Sequence, residues 1–307
     1  MTAFIIAVCA AAVRAGTSVL FASLGEIFAE RSGVLNLGLE GMMLVGALAG
    51  FVTTVRTQSP WLGVCVAGMA GGLLSVIHAV LCVTLRANQV ASGLALTIFG
   101  TGLSAALGRG FVGVPAAGFH PVALPGLAGI PFLGPVLFQQ DPLVYLSYLL
   151  VPAAWFVLYR TRWGLDIRAV GEHPEAADAM GLDVARIRYA CVAVGGVLAG
   201  LGGTFLSTAY TSMWIENMTA GRGWIALAMV IFATWDPLRA VAGAYLFGGV
   251  NALQLNLQAA GTRLPTYLLL MAPYVFTLVV LVFATRETAR KRLGAPAALS
   301  VPYSRTG

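Results

Sequence analysis

The sequence predicts an all-α, polytopic membrane protein with about eight or nine transmembrane helices, a broken second segment and one short helix in a cytoplasmic loop. Three observations carry this. Of 307 residues, 59% are hydrophobic and only 10% are charged, against roughly 25% charged in an average soluble domain, so lipid must cover most of the surface. Apolar stretches of about 20 residues recur along the chain, the length that crosses a hydrocarbon layer about 30 Å thick. The basic residues gather in particular loops, as the positive-inside rule expects.

Taken in order, the segments fall at 3–25, 33–55, 61–84, 89–108, 142–159, 187–209, 223–235, 238–258 and 264–285. The seventh is short enough for a partial or re-entrant element. None shows the alternation over about ten residues that marks a membrane-spanning strand. No basic residue precedes the first run and no small-residue cleavage site follows it, which predicts no removable signal peptide.

Orientation follows from charge. Arg160, Arg162, Arg168, Arg186 and Arg188 lie in one loop, and Arg286, Arg290, Lys291 and Arg292 in the tail; both are expected inside. Four segments separate them, so the two assignments agree. The turns near Met213–Arg222 and Gly261–Leu264 then fall outside, and the stretch 236–239 inside. The loop 109–141, which is bounded by Pro142 and carries Pro115, Pro121, Pro125, Pro131 and Pro135, is expected to cap the external face. The domain reading is a single transmembrane domain over 1–285, with loops 109–141 outside and 160–188 inside, followed by a basic cytoplasmic tail over 286–307.

Polar residues inside apolar segments are costly, so each calls for a reason. Within Glu30-Arg-Ser-Gly-Val-Leu-Asn-Leu-Gly-Leu-Glu-Gly41, Asn36 and Glu40 are four apart and would share a helix face. Glycines 33, 38 and 41 would permit a broken helix there. Three readings stand for Asn36 and Glu40: hydrogen bonds that hold the bundle together, direct contact with a solute, or a gate beside the pathway. His78 reads as a satisfied core histidine, and Asn88 and Gln89 as markers of an interface. Asn251, Gln254 and Asn256 form a polar set able to line a cavity. Glycines four apart at 46 and 50, 68 and 72, and 196 and 200 read as close helix packing. The cysteines, Cys9, Cys65, Cys82 and Cys191, form no CxxC pair and read as small core residues.

Much chemistry is missing. The one lysine, Lys291, is followed by Arg292, so there is no P-loop and no means of binding ATP in that way. No GxSxG elbow, HExxH or intramembrane aspartate pair is present, so no catalytic residue, metal site or cofactor is predicted. Basic charge here reports orientation and does not call for nucleic acid. A transport protein in contact with membrane lipids is the leading class.

In the inner loop, Gly171-Glu-His-Pro-Glu-Ala-Ala-Asp-Ala-Met-Gly181 places Pro174 at a first helical turn and Gly181 at a helix end, predicting a helix of about two turns. The pattern resembles the EAAxxxG motif of importers driven by ATP-binding cassettes. Together with the stretch 30–43, Arg168-Ala-Val-Gly-Glu172, Gly195 to Gly203, and Gly221-Arg-Gly-Trp through Trp235-Asp-Pro237, it is similar to permeases of the ribose and branched-chain amino acid superfamily, most of all to the smaller permease of nucleoside uptake systems.

That resemblance implies that Glu175, Ala176, Ala177 and Gly181 form the ATPase-coupling helix. It also implies three partners: an ABC-type ATPase subunit, a second related permease in a heterodimer, and an external solute-binding lipoprotein of the basic membrane protein type. The location implied is the bacterial cytoplasmic membrane, and the cargo a small neutral solute, most often a nucleoside. Asn36, Glu40 and Asn251 are the pathway or gate candidates. Trp235-Asp236-Pro237 and Thr17-Ser18 depart from the family pattern. A permease for simple sugars such as ribose, or a secondary transporter coupled to protons through Glu40, are the alternatives.

Overall fold

The structure is a computed structural model, and it describes residues 2–259, 265–291 and 294–304. The expected turn at Gly261–Leu264 and the expected basic residue Arg292 lie outside the described residues, as do the side chains of Arg286, Arg290 and Lys291. The chain is almost wholly helical. Helix α1 (Thr2–Arg31) is followed by an irregular stretch, 32–38, and α2 (Leu39–Thr57). Helix α3 (Pro60–Ala79) continues as a π turn through Thr84, α4 spans Gln89–Gly108, and α6 spans Pro142–Arg160. Between α4 and α6, β1 (Val122–Ala123) pairs antiparallel with β2 (Gln139–Gln140), and a five-residue helix, α5 (Leu133–Leu137), lies beside them.

Two shorter helices follow α6, α7 (Arg162–Glu172) and α8 (Pro174–Ala179). Helix α9 (Val184–Phe205) then continues as a π turn to Tyr210, and α10 (Arg222–Phe232), α11 (Pro237–Ala259) and α12 (Thr266–Lys291) complete the bundle. Among the described residues, six helices are long and apolar enough to cross a membrane: those over Phe4–Arg31, Leu39–Thr57, Pro60–Thr84, Gln89–Phe111, Pro142–Arg160 and Val184–Tyr210. Helix α10 is too short, and α11 is diluted by Asn251, Gln254 and Asn256, so length and composition support six spans where eight or nine are expected.

Local chemistry sets the boundaries. Asn88, Thr161 and Asp183 each accept a backbone N–H in the first turn of the helix that follows, at 3.0, 3.2 and 3.0 Å, and Pro60, Pro142, Pro174 and Pro237 stand at first turns. Gly33 takes φ +90°, which an L side chain resists, and α1 therefore stops at Arg31. The irregular stretch precedes α2 and does not interrupt it, so Asn36 lies outside any helix. The expectation that Asn36 and Glu40 share a helix face is thus corrected.

Helices α2 and α9 are the most enclosed, with 67% and 78% of their apolar windows buried, whereas α4 and α6, at 28% and 33%, sit at the periphery. Close approach is bought by small residues: a Cβ on Gly46 would stand 2.5 Å from the Cα of Gly200. Helices α1 and α11 run antiparallel, with Gly16 against Ala244 and Arg31 against Trp235. Outward-facing Leu73, Ile98, Leu107, Leu149 and Leu278 are exposed, as lipid contact requires. Cys82 and Cys191 are buried, but Cys65 is exposed on α3, so it is not a core residue. His78 is a satisfied core histidine, its ring nitrogens 2.9 Å from Ser92 Oγ and 3.0 Å from the Leu35 carbonyl.

Candidate pathway and coupling site

Glu40 sits in the first turn of α2, and its carboxylate closes the start of α10. Oε1 accepts from Thr219 Oγ1 at 2.5 Å and from the Gly221 N–H at 2.7 Å, and Oε2 accepts from the Gly223 N–H at 2.6 Å. One buried carboxylate from the first turn of α2 therefore satisfies the backbone N–H groups at the start of α10. Asn36 is buried 10 residues beyond Glu26, whose Oε1 accepts its backbone N–H at 2.8 Å; its own Oδ1 accepts from the Gly38 N–H at 3.0 Å. The two residues thus stabilise neighbouring parts of the same α1–α2 connection.

On the far side of the α10 N-terminus lies a cavity of about 400 Å³, within the range of small-molecule sites. Arg222, one residue from each of the glycines that hold Glu40, forms part of its wall, together with Asn251, Gln254, Tyr210 and Tyr274. The guanidinium lies over the Tyr210 ring, 5.7 Å from its centre, and Nη1 donates to the Met218 carbonyl at 3.2 Å. Tyr274 donates to the Ala220 carbonyl at 2.7 Å, which ties α12 to the loop before α10. Asn251 and Gln254 face the cavity from α11, while Asn256 turns back to the Ala252 carbonyl at 2.7 Å. Asn251 lies 14 residues along α11 from its start at Pro237, about 21 Å. The cavity is therefore at the end of the molecule opposite the Trp235 turn.

Near that turn are α7 and α8. Glu175 and Ala176 are exposed, Ala177 is buried against Val170 and Val184, and Gly181 is exposed at φ +87°. The Gly181 and Leu182 N–H groups bond back to the Asp178 and Ala177 carbonyls at 2.9 and 3.0 Å, closing the helix as a glycine end should. Met180, 84% exposed, stands beside Gly181 as an uncovered apolar side chain. Sequence reasoning found α8 but missed α7, whose one apolar face and polar opposite were signal enough.

Two further features went unread. Arg14 in α1 pairs with Asp141 at 2.9 Å and donates to the Ala209 carbonyl at 3.1 Å, fastening the loop before α6 to the bundle. Residues 294–304 return under α7 and α8: the Ala298 N–H donates to the Gly171 carbonyl at 2.9 Å, and Tyr303 packs with Val170, Ala177 and Val184. Buried Arg188 joins this segment to the α1–α2 connection, donating to the Ser32 carbonyl at 3.1 Å and the Val301 carbonyl at 3.4 Å.

Comparison with known proteins matches residues 8–285 to the family described as branched-chain amino acid transport system / permease component. The chain belongs to this permease family. Among its relatives, the putative glucose ABC transporter permease protein TsgC13 of Haloferax volcanii is 45% identical, over 96% of each chain. The guanosine ABC transporter permease protein NupQ of Bacillus subtilis is 37% identical over 90% of this chain and 92% of its own. The nucleoside ABC transporter permease protein NupC of Lactococcus lactis subsp. cremoris is 37% identical over 86% of this chain and 88% of its own. As a branched-chain-type permease the protein is a multi-pass membrane subunit of an ABC transporter and not an enzyme; ATP hydrolysis resides on a separate subunit. The family so identified also accounts for the absence of a nucleotide-binding motif in the sequence.

Proposed function

We propose that the chain is the membrane-spanning subunit of an ATP-driven importer that carries a nucleoside, and that the cavity at the α10 N-terminus is part of the route. The family match over residues 8–285 carries the class; the likeness to a guanosine permease along 90% of the chain supports the solute. A sugar is the second reading, favoured by the 45% identity to a putative glucose permease. The importing complex is completed by an ABC-type ATPase, a second related permease and an external lipoprotein receptor, in a bacterial cytoplasmic membrane. One transmembrane domain, residues 1–285, does the transport, and the segment from 286 belongs to the cytoplasmic face. The eight or nine crossings expected from the sequence arise if α10, α11 and α12 enter the membrane beside the six long spans.

In this reading Glu175, Ala176, Ala177 and Gly181 are the coupling residues. The exposed Glu175 and Ala176 face seats in the ATPase, while the buried Ala177 passes its movement to α7 and α9. Asn36 and Glu40 act as the gate. They hold the α1–α2 connection to the α10 N-terminus, and α10 in turn forms the wall that carries Arg222 and faces Asn251.

The test compares uptake of labelled guanosine, ribose and leucine by cells carrying the gene with its neighbours and by cells lacking this gene alone. Loss of guanosine uptake is expected, and it should also follow Glu175→Lys or Gly181→Leu with the protein still inserted. Loss of ribose uptake alone would move the reading to sugars. Uptake that persists without any neighbouring ATPase gene would overturn the importer.

A further inference from the structure

We propose that the cavity beside α10 binds a hydroxyl-bearing sugar ring, with adjacent ring hydroxyls taken by Arg222, Asn251 and Gln254. The assignment deepens the transport reading and rests on it. Three unspent polar groups converge there. Arg222 Nε is buried with no hydrogen-bond partner among the described residues. Neither the Asn251 nor the Gln254 amide makes a side-chain hydrogen bond to another described residue, and the two are three apart on α11, so they share one face. Gln254 is only 6% exposed, yet its amide opens on the cavity with no side-chain hydrogen bond to another described residue, which leaves donor and acceptor to a ligand or water.

The chemistry of the three groups selects among ligands. Amides donate and accept, as do hydroxyls, whereas an ionised phosphate or carboxylate only accepts and would use the NH2 groups alone, leaving both amide carbonyls without a donor. A guanidinium edge offers parallel donors to two neighbouring oxygens; here Nη1 is taken by the Met218 carbonyl and one face by Tyr210, which leaves the Nε side. Phe247, Ile225 and Leu206 supply apolar wall for the C–H face of a ring. A nucleobase would call for an open aromatic face to stack on. The Tyr210 face is taken by Arg222 and Phe247 is only 2% exposed, so Tyr274 is the one exposed aromatic of the cavity among the described residues, and no second ring stands ready to sandwich a base. The sugar is the recognised part, and either a ribose within a nucleoside or a free hexose offers it.

The experiment measures thermal stabilisation of the detergent-purified membrane complex, without its external receptor, by guanosine, glucose, guanine and the dideoxynucleoside that lacks both ribose ring hydroxyls, each up to ~10 mM. Stabilisation by guanosine or glucose, but not by guanine or the dideoxynucleoside, is expected, and which of the two acts tells ribose from hexose. The variant with Asn251→Leu and Gln254→Leu should need about tenfold more solute for the same shift, with membrane insertion and unliganded thermal stability like the wild type's as evidence of folding. Stabilisation by guanine equal to that by guanosine, an unchanged response in the variant, or no response of the wild type to any solute would each overturn the site. None of these results touches the importer reading, which the uptake measurement tests separately.

Discussion

Glu40 and Gly223 meet where two helices begin: the Gly223 N–H donates to Glu40 Oε2 at 2.6 Å, and a Cβ on Gly223 would stand 2.6 Å from the Glu40 nitrogen. The glycine admits the carboxylate, and the carboxylate satisfies the helix start. Glu40→Gln keeps the shape but replaces one acceptor oxygen by a donor facing N–H groups. A loss of about 1–3 kcal/mol is expected, read as a lower unfolding temperature in detergent. Gly223→Ala should lower it as well, since backbone must move to admit the methyl group. Unchanged unfolding in both variants would remove Glu40 as the tie between α2 and α10.

A second carboxylate is held by the turn between α10 and α11. The Trp235 indole N–H donates to Glu30 Oε2, both residues being buried. Trp235→Phe keeps the ring and removes the donor, which should cost about 1–3 kcal/mol. Restoring full stability by adding Glu30→Leu would show that the cost comes from the stranded carboxylate; stability equal to wild type in Trp235→Phe alone would refute it.

Arg14 and Asp141 are not equally enclosed: the Arg14 side chain is 34% exposed and Asp141 is fully buried. Deleting the arginine strands a buried acid, so Arg14→Ala should destabilise by about 2 kcal/mol, and the change of both residues to Ala and Asn should recover most of it. A double-mutant cycle on the purified protein measures the coupling, and a coupling near zero would contradict the pairing.

Arg188 donates to both Ser32 and Val301, so Arg188→Ala should free the segment 294–304 while leaving α9 in place. Faster proteolysis between α12 and Val301, with unchanged cleavage elsewhere, is the expected result. Equal cleavage in both proteins would mean that the segment is held by its other contacts, among them Tyr303, the Gly171 carbonyl and Glu172, whose carboxylate accepts from the Ala297 N–H.

The helices were legible in the sequence because lipid imposes one rule, a run of apolar residues about 20 long, and α3, α4 and α6 obey it directly. Helix α8 was legible for a local reason, Pro174 at its start and Gly181 at its end. What escaped depends on pairing across distance. The partner of Arg14 is 127 residues away and the partner of Glu40 is 183, and no periodicity encodes either. Asn36 was misplaced because its spacing from Glu40 suits a helix, yet Gly33 at φ +90° ends α1 and leaves Asn36 in the irregular stretch. The amides of α11 were visible as polar letters, but the free donors of Arg222 beside them follow only from the fold.

The return of residues 294–304 beneath α7 and α8 has a consequence for how the protein is made. The segment follows α12 in the chain, so the Ala298 N–H that meets the Gly171 carbonyl does not exist until α12 has been synthesised. The face formed by α7 and α8 is therefore completed late. A partner that reads the whole of that face can join only a chain synthesised past this segment, and one stalled before α12 presents an unfinished surface to it.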